Sequence, residues 1–283
     1  MAAMTTVMIS GAGSGIGATT ALHLDRLGLQ VFAGVHDPSD GEVLARQASG
    51  RMQVAPLDVT DIRSVKAFVA DVDERLGDTG LTALVNNAGQ DIAGPLETLP
   101  IESLRRQFEI NVIGQVALTQ QALPLLRRGR VRGGSRVIFV GSMGGLVAVQ
   151  FAGAYHASKY AIEAIGDAWR QELATDGIHV VIVEPGPIST PLWAKAAHTL
   201  DALPASQRYG ERLEAFRESL RRQSKDGTGP QQVAELIEHA VTAERPRTRY
   251  AAGVAATVVP KVRRLLPDRL YDRLARRASA HPD

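Results

Sequence analysis

In the stretch "YHASK", Tyr155 and Lys159 stand four residues apart with small residues between them. At that spacing two side chains share one face of a helix. A phenol held beside an ammonium can move protons. A free phenol titrates near about pH 10 and is a poor base at neutral pH. Lowering it by about 3 units needs roughly 4 kcal/mol of extra stabilisation of the phenolate, and a lysine cation on the same face is one source of it. The same spacing occurs in any amphipathic helix turn, so the pair needs support from the rest of the chain.

A second group with chemical potential is the loop "SGAGSGIG", which holds Ser10, Gly11, Gly13, Ser14, Gly15, Ile16 and Gly17. It lies between an apolar run and a helical pattern, the context in which such a loop carries meaning. Glycines let the backbone approach a pyrophosphate closely, and the helix that follows offers free N–H groups and the positive end of its dipole. Counted from Gly11, G-x-G-x-x-G fails because Ile16 takes the place of the third glycine. G-x-x-x-G-x-G fits, and so does the G-x-G-x-G of nucleotide-binding methyltransferases, so the loop does not name its ligand. Dinucleotide sites place an acid about 20 residues further on to hold ribose hydroxyls. Val35 occupies that place, followed by His36 and Asp37. An acid favours NAD and a base favours NADP, and the choice between NAD and NADP stays open. Asp37 either reaches a ribose or N-caps the next turn. Asp58, in "LDVTD", is either an adenine contact or a strand-end turn residue.

These residues require a scaffold. Residues 5–10, 30–35, 52–57, 81–86, 135–141 and 178–185 read as buried strands, with 249–253 as a last one. Between them, 15–28, 61–76, 101–128 and 154–175 show a period near 3.6. The alternation predicts an α/β fold: a doubly wound parallel sheet with helices on both faces, in one domain spanning 1–283. From about 190 to 227 the pattern lapses into a polar, charged stretch with Trp193 and Tyr209, read as an insertion covering the site. The tail over about 257–278 reads as one amphipathic helix, with Val262, Leu266, Leu270 and Leu274 on a stripe flanked by Lys261, Arg264, Arg269, Arg273, Arg276 and Arg277. Such a helix can lie on an anionic membrane; the reading adopted is that its stripe packs on its own domain or on a partner subunit.

Composition removes several classes. The 283 residues are 45% hydrophobic with a net charge of +2, too mild for a nucleic-acid partner. The absence of cysteine excludes thiolate catalysis, disulfides and Cys-zinc sites and fits a reducing cytoplasm. No metal-binding spacing such as H-E-x-x-H occurs. No run reaches the roughly 18 apolar residues of a membrane span, and the first residues do not read as a signal peptide.

Taken in order, the glycine loop, "DV" at Asp58–Val59, "NNAG" at Asn86–Gly89, Asn111, "GS" at Gly141–Ser142, "YHASK" and "PGPIST" at Pro185–Thr190 resemble the short-chain dehydrogenase/reductase family, over roughly 5–191. Two departures stand out: Ser10 replaces the usual Thr, and no acid stands at Val35. The resemblance implies a Rossmann-type sheet, a nicotinamide coenzyme, and a catalytic tetrad of Asn111, Ser142, Tyr155 and Lys159. Ser142 then holds the substrate oxygen against the Tyr155 hydroxyl, and Asn111 kinks its helix and holds a water leading protons towards Lys159. The resemblance also implies coenzyme contacts from Asn87, Ala88, Gly89, Pro185, Gly186, Ile188 and Thr190, and a homodimer or homotetramer. It places the substrate among Met143, Leu146, Val147, Val149, Phe151, Leu192 and Trp193. That apolar set favours a bulky hydrophobic alcohol, ketone or aldehyde, as in the steroid and retinol branches. A serine hydrolase fails on G-x-S-x-G, since Val140 replaces the first glycine. A methyltransferase leaves "YHASK" unexplained. A non-catalytic dinucleotide sensor is the main alternative.

Overall fold

The computed structural model describes residues 4–129, 133–201 and 208–280. Seven strands are arranged β3-β2-β1-β4-β5-β6-β7: β1 (Thr6–Ser10), β2 (Gln30–Val35), β3 (Met52–Pro56), β4 (Ala83–Asn86), β5 (Ser135–Val140), β6 (Ile178–Pro185) and β7 (Arg249–Ala252). Every neighbouring pair is parallel. The strands read as continuous apolar runs because both faces are covered. Alternate residues go to opposite sides: Val7 and Ile9 enter one core, Met8 the other.

On the first side the strands pack against α1 (Gly15–Arg26), α2 (Pro38–Gln47) and α9 (Gln231–Thr242), through Leu24, Leu44 and Ile237. On the second they pack against α3 (Ile62–Leu76), α5 (Gly114–Arg128) and α6 (Gly153–Glu172), through Val65, Leu118 and Ile162. The helical pattern at 101–128 is not one regular helix. It comprises α4 (Ile101–Phe108), a π-helical turn at Glu109–Ile113 and then α5. A π turn inserts one residue into the ladder and bends the helix, and Asn111 sits in it.

The stretch at 190–227 departs from its sequence reading. It contains two helices, α7 (Pro191–Asp201) and α8 (Gly210–Asp226), while 202–207 lie outside the described residues. Ala196, Ala197 and Leu200 of α7 pack with Phe216 and Leu220 of α8 against Ala93 and Phe151. The tail is also two helices, α10 (Val254–Leu265) and α11 (Asp268–Ala280), broken at Leu266 and Pro267. A proline cannot continue the i→i−4 ladder, and it pushes the residue before it into extended backbone; Leu266 has ψ 138°. Of the apolar stripe, Leu266 is half-buried, whereas Val262, Leu270 and Leu274 stay exposed.

Candidate active site

The strand order reverses between β1 and β4, and their C-terminal ends open a crevice. A cavity of about 450 Å³ lies there. Residues following each of the first six strands line it, together with Tyr155 and Lys159 of α6 and residues of α7. Most of the residues singled out from the sequence meet at this cavity. Ser10, Gly17, Asn111, Met143, Leu146, Val147, Val149 and Phe151 do not line it.

Ser10 and Gly17 shape the loop from behind. The buried Ser10 hydroxyl accepts the backbone N–H groups of Asn87 and Ala88, each at 3.1 Å, which ties the end of β1 to that of β4. Asn87 Nδ2 donates to the carbonyls of Ser10 and Gly11. A Cβ on Gly17 would run into the Gly11 carbonyl and Asn87 Nδ2, and one on Gly11 would stand 2.7 Å from Ala88 Cα. Gly11 also has φ +65°, which side chains resist. Ser14 caps α1 without a side-chain bond, so the first-turn N–H groups face the cavity with the helix's positive end. This donor set fits a pyrophosphate.

At the far end, Asp37 takes its capping role: its Oδ1 accepts from Ser39 N–H at 2.8 Å and from the Ser39 hydroxyl at 2.7 Å, which holds its pKa below the usual carboxylate value. Asp58 likewise closes a turn, accepting the Thr60 N–H at 2.9 Å and hydroxyl at 2.7 Å. Its second oxygen stands 3.7 Å from His36 Nε2. All three line the cavity, so the turn roles coexist with access to a ribose or adenine. Val35 is in the core and cannot reach either.

At the other end, Ser142 caps a short 3-10 turn at Met143–Gly145, its Oγ accepting the Gly144 N–H at 3.0 Å. The Ser142 hydroxyl also pulls the pKa of the Tyr155 phenol down. His156 turns its Nδ1 to the Gly144 carbonyl at 2.9 Å. Lys159 donates to the Val140 carbonyl at 2.8 Å, and its Nζ lies 5.8 Å from the Tyr155 ring centroid. The expectation that this lysine lowers the phenol's pKa is corrected here. Burial dominates and raises Tyr155 well above its ordinary value, Ser142 pulls it down, and Asp91 raises it further. Burial also lowers Lys159 to about 8, against the opposing pull of Glu163 and Asp91.

Asn111 is buried one layer away. It accepts the Gln90 N–H and donates to the Gln90 carbonyl, both at 2.9 Å, and donates to Ser158 Oγ at 3.0 Å. It therefore clamps the loop after β4 to α6. The substrate wall is smaller than expected. Leu192 and Trp193 line the cavity, whereas Val149 and Phe151 line a second cavity with Tyr209 and α11, and Met143, Leu146 and Val147 line neither. Phe151 has φ +65°, the one positive φ outside glycine among the described residues, and its ring packs against Tyr209 and Phe216.

Two features escaped the sequence reading. Asp91 lines the cavity beside Lys159. Behind the site, Arg249 of β7 bonds Glu163 at 3.0 Å and Asp167 at 2.7 Å on α6, and Glu184 of β6 at 3.1 Å.

A model of the family described as short chain dehydrogenase matches residues 5–201. The chain belongs to the short-chain dehydrogenase family. Family members are oxidoreductases that use NAD or NADP on alcohol and carbonyl groups, and this chain is one. It is 33% identical over 268 residues to an NADPH-dependent 3-dehydrocapnine reductase of Ornithobacterium rhinotracheale, covering 94% of each. It is 36% identical to retinol dehydrogenase 5 of Mus musculus, over 94% of this chain and 86% of that one. Among solved structures, a short-chain dehydrogenase from Streptomyces avermitilis superposes with a TM-score of 0.79 at 29% identity, covering 96% of this chain and 95% of that one. The short-chain dehydrogenase sheet is thus matched along nearly its whole length.

Proposed function

We propose that this short-chain dehydrogenase interconverts a bulky, hydrophobic alcohol and its ketone or aldehyde, with Ser142, Tyr155 and Lys159 as the groups at the reacting oxygen. The observation that carries the reading is that Ser142, Tyr155 and Lys159 line one cavity, with Lys159 Nζ 5.8 Å from the Tyr155 ring centroid. A bound nicotinamide dinucleotide supplies or accepts the hydride. Ser142 Oγ donates to the substrate oxygen and fixes it against Tyr155 Oη. On reduction Tyr155 gives its proton to that oxygen; on oxidation it takes the proton back. The raised pKa keeps the phenol protonated at neutral pH, the form needed for reduction. Lys159 places a cation behind the phenolate left by that transfer, and Asn111 holds the Gln90 loop in register with α6.

The coenzyme would be held by the Gly11–Gly17 loop, by Asn87, Ala88 and Gly89, and by the segment from Pro185 to Thr190. Both NAD and NADP suit the adenosine end. Asp37 and Asp58 offer acceptors to ribose hydroxyls, and His36 offers a cation to a 2′-phosphate when protonated. The helices α7 and α8 serve as the substrate cover. Leu192 and Trp193 on that cover, and the names of the relatives, a retinol dehydrogenase and a reductase of 3-dehydrocapnine, support a hydrophobic substrate. A homo-oligomer is supported by the position of β7 at the edge of the described sheet and by the exposed apolar residues of α10; a monomeric mass by light scattering would contradict it.

The test of the reaction is absorbance at 340 nm with each reduced coenzyme against bulky hydrophobic ketones and aldehydes and against small 2-oxo acids. Turnover is expected on the hydrophobic panel. Preference for the small acids would overturn the substrate class.

A further inference from the structure

The tetrad leaves one buried acid in the cavity wall without a role. Asp91 is 3% exposed, and its Oδ1 is sealed from solvent with no hydrogen-bond partner. A carboxylate in that condition is costly unless it interacts with a charge. Its position is held from both sides. Asn111 takes the N–H and carbonyl of Gln90. Gln107 accepts the Ile92 N–H at 2.7 Å, and Thr199 of α7 accepts that of Ala93 at 3.3 Å. Side chains from the π turn, from α4 and from α7 thus fix the backbone around one acid, and that acid faces the same cavity as Tyr155 and Lys159.

We propose that Asp91 is a positioning residue for proton transfer: its carboxylate, built into the cavity wall, keeps the transferable proton on the Tyr155–Lys159 couple. This rests on the reaction proposed above. Burial raises Asp91 to about 7 while Lys159 pulls it down, and in return Asp91 raises both Tyr155 and Lys159. Other charges act on the same groups. Glu163, one turn along α6 and tied to Arg249, also raises Lys159. Arg106 of α4 and Lys195 of α7 line the cavity. Asp91 acts on both members of the couple. Removing its negative charge makes each member release its proton more readily. The sign is therefore the same for both: every apparent pKa of the couple falls.

The experiment is a 13C NMR pH titration of the lysine Cε resonance of Lys159, assigned by its loss in Lys159→Arg, in the wild type and in Asp91→Asn. No substrate is needed. The Lys159 midpoint is expected to fall by about one pH unit in Asp91→Asn; an unchanged midpoint overturns the inference. Asp91→Ser removes the same charge with less bulk and replaces the Asn variant should that one not fold. In the turnover assay, the alkaline fall of carbonyl reduction moves to lower pH by a similar amount, and a superimposable profile also overturns the inference. A shifted Lys159 midpoint in a protein that turns over no alcohol or carbonyl leaves the Asp91 coupling standing and defeats the proposed reaction instead.

Discussion

Tyr155→Phe lowers kcat by at least about a hundredfold, within the range of about 10² to 10⁴ associated with one general acid–base group. The substitution removes only the hydroxyl. The ring stays buried at the start of α6, where Tyr155 is 6% exposed and packs edge-on against His156. The glycine loop and the Asn87–Gly89 wall are untouched, so coenzyme binding persists. Loss of turnover with binding intact separates a proton donor from a residue that merely supports the pocket. Full turnover in Tyr155→Phe would remove Tyr155 from the chemistry.

Arg249→Ala is expected to be strongly destabilising although it lies outside the cavity. Arg249 is the shared partner of Glu163 and Glu184, both buried, and of the half-exposed Asp167. Breaking a buried pair leaves an uncompensated charge. Because the guanidinium is itself a third exposed, the cost is set at the low end, about 2–3 kcal/mol. The pH dependence follows from the carboxyls. Burial, aided by Glu184, raises Glu163 to about 7 in the folded chain, against a starting value of 4.5, and burial raises Glu184 too. The folded state therefore binds protons that the unfolded state has released. Stability from these groups is highest below about pH 4.5 and is lost as pH rises through about 7. Without Arg249 that loss deepens, so the drop in Tm is larger at pH 8 than at pH 6. Adding Glu163→Gln to Arg249→Ala should recover part of it. A pH-independent loss would mean that Arg249 contributes packing and not charge.

Much of this architecture was legible in the sequence because each feature there is local. Buried parallel strands are short apolar runs, and each motif sits at a strand end, so their order gives the sheet and the crevice together. Tyr155 and Lys159 need only one helix to meet. What was not legible depends on distance or on dilution. In α8 the apolar spacing of Leu213, Phe216 and Leu220 is helical, yet it is submerged in charged residues. The tail's stripe continues through Leu266 to Leu270 as though unbroken, while Pro267 splits it. Asp91 follows the "NNAG" motif by two residues, but the backbone around it is fixed by the distant side chains of Asn111, Gln107 and Thr199. Arg249 and Glu163 are 86 residues apart, and nothing in either segment announces the other. The tyrosine's proton affinity was misjudged for the same reason: helix spacing shows the lysine, whereas only the folded chain shows the burial.

The most direct test of the central claim is a calorimetric titration of the purified protein with NADH and, separately, with NADPH. The glycine loop, the uncapped start of α1 and the Asn87–Gly89 wall predict saturable binding of at least one of them, which Gly17→Val should abolish. Binding of neither coenzyme to the folded protein would contradict the dehydrogenase account at its root.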